Sequence, residues 1–597
     1  MIQAPLISLL FTILSLVATG VHAQMEAIQE SAQARLNNLG PDVRVVELEP
    51  GEYRVSSNGQ RAAFVLRGLE DVVIDGNGST IVVEDFKSAF FIADCSNVTI
   101  QNFVLDMDPL PYLQGRVREV DEAARSVLVE LDKGFAGMEV LKAYFKLKLA
   151  VLYDDAGRLL PSQSDCSVSG VGEAGAGMIR VQLSPYDTDL SLADCGYAPG
   201  VRMALTGKGQ PIIEQHDCSG MVFKNVTVHA SAGLAVYERA ADEGSVYEGC
   251  SIVRLPASDR LLAGNADGFH SSMAVEGPAY LSCEVSSICD DAFAVHGFFS
   301  LLLESSAPDR IEIAPLLRRD FEVGSELNFH DIHSLEPLGS ARVTAIVSSR
   351  DPAKLKAAHD LSAAATREGQ RIIRMASEEV LTVTLDREVD LPALTLIESE
   401  AMCGAGSVVK DCRIDNVRGR AILLQTTDAL VEHNTVSWLT LPGIEVSGEI
   451  PWMQGPFSKN VIVQGNTFED VGFGLSGKAS YKTAMGAISL HAYYSGPLKE
   501  NLYLIQDVLI ADNVVRGSGL PAYSVINAEG VTIEGNVFED VNTLPVRRAG
   551  EDLGVDASGD FVVASVADLE VADNDFINLV SGEAQTPEPV QKRRIRK

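Results

Sequence analysis

Basic residues are few in this chain: 48 Lys and Arg stand against 82 Asp and Glu in 597 residues, a formal net charge of −34. A phosphate backbone needs a basic face, so the balance excludes nucleic acid as a partner. Tryptophan is scarcer still, with two residues, and aromatics make up 6%; few side chains are available to stack on a ligand. After residue 23 no apolar run approaches the roughly 20 residues that span a bilayer. The nine cysteines include no CxxC spacing, which speaks against zinc. Cys250, Cys283 and Cys412 sit instead in YEGCSIV, YLSCEVS and VKDCRID, strand-like runs in which a thiol acts as a small apolar core residue. A disulfide within Cys166 to Cys195 is compatible with the sequence, although pairing is not legible there. The regular leucine ladder of leucine-rich repeats is also missing.

What is present is a repeat. VVIDGN (Val72 to Asn77), VTIQNF (Val98 to Phe103), MVFKNVTV (Met221 to Val228), LVEHNTV (Leu430 to Val436), VIVQGNTF (Val461 to Phe468), VLIADNVV (Val508 to Val515), VTIEGNVF (Val531 to Phe538) and LEVADNDF (Leu569 to Phe576) share one form. Asn77 and Asn102 are 25 residues apart, Asn513 and Asn536 are 23 apart, and Asn466 and Asn513 are 47 apart, about two periods. Short β-branched runs at this period cannot bury their faces alone, but stacked coils enclose a continuous core. The expected fold is all-β, a right-handed parallel β-helix. Asn suits its turns because it tolerates left-handed backbone, and its amide can bond to the Asn one coil away.

Two stretches break the period with longer strands and hairpin turns: GRVREVDEAARSVLVELD to RMALTGK, and RIEIAPL to VLTVTLD. They read as two inserted small antiparallel β-barrels or sandwiches. The resulting layout is a signal peptide at 1–23, an N-terminal cap and first coils at 24–108, and an inserted barrel-like domain at 109–208. Coils resume at 209–298, a second inserted β domain covers 299–402, C-terminal coils run 403–580, and a disordered tail fills 581–597. Within this, Met25 to Leu39 is expected as a capping helix and Pro352 to Arg367 as a helix inside the second insertion. The second insertion starts just after the candidate site, so it is expected to wall one side of it. Residues 1–23 combine an apolar run with Val21-His22-Ala23, a cleavage-like ending, although Lys and Arg are missing from their start; the expected location is secreted or periplasmic.

The candidate chemistry lies in NADGFHSSMAVEGPAYLSCEVSSICDDAFAVHG, Asn265 to Gly297. Asp290 and Asp291 follow Asp267 by 23 and 24 residues, about one coil, so three carboxyl groups are expected on neighbouring coils around one patch of solvent. Glycoside hydrolysis needs such a set: a protonated acid and one or two carboxylates to activate water. If residues 290–296 are extended, Asp290, Ala292, Ala294 and His296 share the outer face, and Asp291 points inward unless the pair lies at a strand–turn junction. His270 and His296 are candidates for binding sugar hydroxyls or supporting the carboxylates. Arg420, with Arg418, is a donor candidate. Trp452 is a stacking platform candidate, and Glu445 and Glu238 are weaker acids to consider.

NADGFH, CDDAFAVHG, RGRAILLQ (Arg418 to Gln425) and EIPWMQGP (Glu449 to Pro456) on this layout resemble glycoside hydrolase family 110, the α-1,3-galactosidases. Polygalacturonases carry a related arrangement, but here the histidine motif is VHG rather than GHG, and no Arg-x-Lys follows to pair with a uronate. The resemblance implies an inverting exo-hydrolase acting on a terminal α-1,3-linked galactoside glycan. In it Asp290 is the general acid, and Asp267 and Asp291 hold the attacking water. No metal or other cofactor is implied, and a homodimer is compatible with it. Two alternatives stay open: an endo-acting, polygalacturonase-like hydrolase of an acidic polysaccharide, and a non-catalytic β-helical carbohydrate-binding or adhesin protein.

Overall fold

The computed structural model describes residues 33–579, apart from 41, 136–137, 139–145, 162–163, 187, 316–320, 365–378, 475–483, 495 and 545–552. The expected signal segment and the C-terminal tail lie outside the described residues. Of the expected capping helix, residues 33–37 are helical.

Each coil contributes up to three short strands, and equivalent strands of successive coils pair in parallel. One ladder runs through Phe90, Ile213, Val236, Phe269, Phe293, Ile422, Ile444, Ile488 and Tyr523. A second joins Val222, Val246, Ala279, Val408, Leu430 and Ile462. A third joins Thr227, Ser251, Glu284, Arg413, Thr435 and Thr467. The fold is a parallel β-helix. Inward side chains stack along its axis: the Phe269 and Phe293 rings lie 5.3 Å apart with planes 4° off parallel, and Tyr247 and Tyr280 follow at 5.2 Å.

The turn between the second and third ladders is built from two residues. The first takes left-handed backbone: Gly249, Ser282, Asp411, His433, Gly465, Asp512, Gly535 and Asp573 all have positive φ. The second is Cys250, Cys283, Cys412, Asn434, Asn466, Asn513, Asn536 and Asn574. The asparagines bond in sequence, each accepting at Oδ1 from the previous rung's main-chain N–H and side-chain amide: Asn434 from Cys412 N–H alone, then Asn466, Asn513, Asn536 and Asn574 at 2.8–3.0 Å. At these rungs the residue before the asparagine carries the left-handed bend, not the asparagine itself. At the three rungs before Asn434 the same column is sulfur, with Cys283 N–H 3.4 Å from Cys412 Sγ. All nine cysteines are free and buried, Cys166 and Cys195 included.

Two closed antiparallel barrels interrupt the coils. The first comprises Leu113–Asp121, Ser126–Leu131, Leu147–Tyr153, Cys166–Glu173, Met178–Pro185 and Arg202–Gly207. The second comprises Ser300–Ala307, Arg310–Ala314, Glu326–His330, Pro337–Ser349, Val380–Leu385 and Leu396–Ser399. A helix at Pro352–Ala364 lies between its fourth and fifth strands. The first barrel is clamped to the coils across 250 and more residues of sequence. Leu159 N–H donates to Asn416 Oδ1 (2.8 Å), Trp438 Nε1 donates to the Leu159 carbonyl (2.9 Å), and Arg418 pairs with Asp165.

Candidate active site

The chain leaves the third ladder of one coil and enters the first ladder of the next through a turn. Register fixes what that turn holds. Phe269 pairs with Phe293 and Phe293 with Ile422, so Asp267, Asp291 and Arg420 occupy the same rung position on three successive coils. Gly268 N–H donates to the Asp291 carbonyl (2.9 Å) and Ala292 N–H to that of Arg420 (3.0 Å).

The strand begins only at Phe293. Asp290 and Asp291 therefore lie in the turn, and both face one pocket of about 660 Å³. Asp291 is not driven inward as an extended strand requires, while Ala292, expected on the outer face, belongs to the core. Asp267, Asp290, Asp291, His270, Arg420, Glu445 and Trp452 all line the pocket, as do Arg418, Ala294 and Tyr493. His296 does not: it is 1% exposed and sits behind His270, with its Nε2 2.8 Å from His270 Nε2. Its expected contact with sugar is corrected to contact with His270, because Gln454 and Phe298 cover it from the other sides. Glu238 lies in the solenoid interior, bonded to Gln215 and Ser271.

The wall is also corrected. The first barrel and its exit segment, not the second barrel, line the pocket, through Lys148, Leu149, Tyr186, Thr206, Gly207 and Lys208. Chain proximity misleads here because the second insertion meets the coils elsewhere, where Phe321, Ile346 and Leu381 line a different pocket with Asp217, Ala240 and Asp242. Lys208 had no signal that singled it out. Glu449 and Gln454 do fall inside EIPWMQGP.

Electrostatics separates the three aspartates. Asp290 keeps a third of its side chain exposed, with Lys208 Nζ 3.6 Å and Arg418 Nη1 3.8 Å away. Burial of the carboxyl, and then the charge of Asp267, push its pKa up to about 6 against the pull of Lys208. Asp267 is held below the usual carboxylate range. Burial favours its neutral form, but the His270 bond and charge, with Lys208 and Arg420, outweigh that. Asp291 is gripped by one residue: Arg420 donates its main-chain N–H (3.0 Å) and Nε (2.9 Å) to Oδ1, and Nη2 to Oδ2 (2.8 Å).

Arg420 also meets Glu449 Oε1 at 2.8 Å and Glu445 Oε2 at 3.2 Å. One cation among three buried carboxyls leaves excess negative charge, and burial pushes the pKa of both glutamates up. Arg418 is anchored on Asp165 through Nε (3.1 Å) and Nη2, and its Nη1 donates to the Cys289 carbonyl (2.9 Å). The two arginines thus fix the turn that carries the aspartate pair, one from the coil above and one through the first barrel. Among the described residues no cluster of His, Cys, Asp and Glu has the geometry of a metal site.

A family model for the right-handed beta helix region matches residues 401–582. Alpha-1,3-galactosidase B of Bacteroides thetaiotaomicron is 22% identical over 530 residues, covering 85% of this chain and 80% of that protein. Alpha-1,3-galactosidase A of Bacteroides fragilis is 22% identical over 83% of this chain and 78% of its own length, and that of Shewanella woodyi is 19% identical over 89% and 83%. Among solved structures, an exopolygalacturonase from Thermotoga maritima has a TM-score of 0.36 at 9% identity, covering 92% of this chain and 96% of that one. The chain is a parallel β-helix glycoside hydrolase, similar in sequence over more than four-fifths of its length to the α-1,3-galactosidases.

Proposed function

We propose that the enzyme removes terminal α-1,3-linked galactose from a glycan by an exo-acting, inverting mechanism that uses no metal. The observation that carries this is Asp290, a carboxyl with a pKa raised to about 6, in one pocket with Asp267 and Asp291. Asp290 protonates the leaving glycosidic oxygen. Asp267 and Asp291 hold the water that attacks the anomeric carbon from the opposite face. Trp452, 44% exposed at the pocket, offers its ring to the apolar face of the sugar, and His270 and Arg420 border the same pocket. The guanidinium of Arg420 already faces three carboxyls, which favours a neutral sugar over a uronate. The leader-like residues 1–23 support action outside the cytoplasm.

The test is a panel of α-1,3-, α-1,4- and α-1,6-linked galactosides followed by NMR of the freshly released sugar. β-Galactose from the α-1,3 compound, lost in Asp290→Asn, is the expected result. Initial release of the α-anomer, or full activity of Asp290→Asn, rejects the reading.

A further inference from the structure

We propose that Asp267 alone takes the proton of the attacking water, that His270 and His296 are the positioning residues that hold it for that task, and that Asp291 is a structural partner of Arg420. The inference rests on the inverting reading above and sorts the two carboxylates which that reading leaves equivalent.

The argument starts at a dead end. His296 Nδ1 lies 2.8 Å from the Gly297 carbonyl oxygen; a carbonyl only accepts, so Nδ1 carries the hydrogen. The ring is buried and neutral, with burial pushing its pKa down to about 3, so Nε2 is a lone pair. Two groups point at that lone pair, Gln454 Nε2 at 3.1 Å and His270 Nε2 at 2.8 Å. His270 must therefore donate from Nε2. Its other nitrogen, Nδ1, stands 2.6 Å from Asp267 Oδ2, a separation that needs one proton between the two atoms. Asp267 and His270 thus share one proton between Oδ2 and Nδ1, in addition to the one that His270 carries on Nε2. The rings leave His270 little freedom, with Tyr237 edge-on at 5.6 Å and His296 edge-on at 4.9 Å.

What differs between the two carboxylates is the free oxygen. Oδ1 of Asp267 receives no hydrogen bond among the described residues, and the residue lines the pocket. Asp291 has both oxygens occupied by Arg420, three donors in all. Turning that carboxylate toward a water means giving up these bonds and breaking a buried ion pair.

The step balances with these groups. The water oxygen forms a bond to the anomeric carbon while the bond from that carbon to the glycosidic oxygen breaks, its electron pair staying on the oxygen. That oxygen takes the Asp290 proton, and a water proton passes to Asp267 Oδ1. Lys208, Arg420 and Asp290 are the charged groups facing the Asp267–His270 pair.

Two experiments separate this from its alternatives. In Asp267→Ala the base is gone, and kcat is expected to fall by roughly 10²–10⁴-fold. Azide, which needs no base, is expected to restore turnover and yield β-galactosyl azide. Asp291→Ala is expected to show no azide rescue; should it fail to fold, Asp291→Asn, which keeps a carbonyl acceptor for Arg420, is expected to retain more activity than Asp267→Asn. For the histidines, His296→Asn preserves the bond to Gly297 but removes the acceptor for His270, whereas His296→Gln places an oxygen where Nε2 stood. The first is expected to lower kcat roughly tenfold with KM little changed, and the second to recover most of it. Azide rescue of Asp291→Ala alone, or of neither variant, overturns the assignment of the base. An unchanged kcat in His296→Asn overturns the positioning role. Retention of configuration in the wild-type enzyme sinks the proposed function instead, so the two failures are distinguishable.

Discussion

As the proposed general acid, Asp290 has to be protonated to act, so activity should fall as pH rises through its pKa of about 6. Lys208 is the lever on that limb. Its ammonium lies 3.6 Å from Asp290 Oδ2 and stabilises the carboxylate, holding the pKa lower than burial and Asp267 alone would set it. At this range opposite charges attract by about 1 kcal/mol through water and about 4 kcal/mol in a partly buried setting. The Lys208 side chain is 62% exposed, so solvent screening makes the smaller figure the appropriate one. At 1.36 kcal/mol per pH unit, Lys208→Met should move the alkaline limb of kcat/KM upward by about 0.7 unit, toward pH 7. The assay is a kcat/KM profile on an α-1,3-galactoside at low ionic strength, with a high-salt control that narrows the gap between wild type and variant. A limb that stays in place or moves downward refutes the claim that this ion pair sets the acid.

Trp452→Ala should raise KM by roughly 2- to 10-fold with kcat nearly unchanged, measured by initial rates, since aromatic contacts contribute about 0.5–1.5 kcal/mol beyond burial. Asn466→Ala removes the acceptor for the Asn434 main-chain N–H and amide and the donor to Val431, Gln464 and Asn513. It should destabilise the coils by about 3 kcal/mol, read as a lowered thermal midpoint; an unchanged midpoint counts against the ladder as a stabilising element. Glu238 is buried with its pKa raised, burial being the cause. The folded state thus keeps its proton after the unfolded chain has lost it. Its contribution is full below the unfolded pKa and declines as pH rises toward the folded one. Glu238→Gln should flatten that part of the stability–pH curve measured by denaturant unfolding.

The helical repeat, its length and the two insertions were readable because they depend on local chemistry: alternation, turn-forming residues and a fixed period. That a 24-residue spacing brings Asp267 over to Asp290 and Asp291 follows from the same period, and the pairing of Phe269 with Phe293 realises it. The outward or inward direction of Asp291 was not readable. It depends on where the strand starts, and alternation assigns faces only within a strand.

What the sequence determined by itself is the set of stacked rungs and the three aspartates on them, since both are written in residues less than one or two periods apart. Tertiary structure alone decided that Lys208 and Asp165, from the first barrel, reach the aspartate turn across 82 and more residues, and that Arg420 grips Asp291 from 129 residues away. It also decided that His296 stands behind His270 rather than in the pocket wall. The reason is physical: protonation and hydrogen-bond roles depend on burial and on which charges meet in space, and a linear pattern encodes neither.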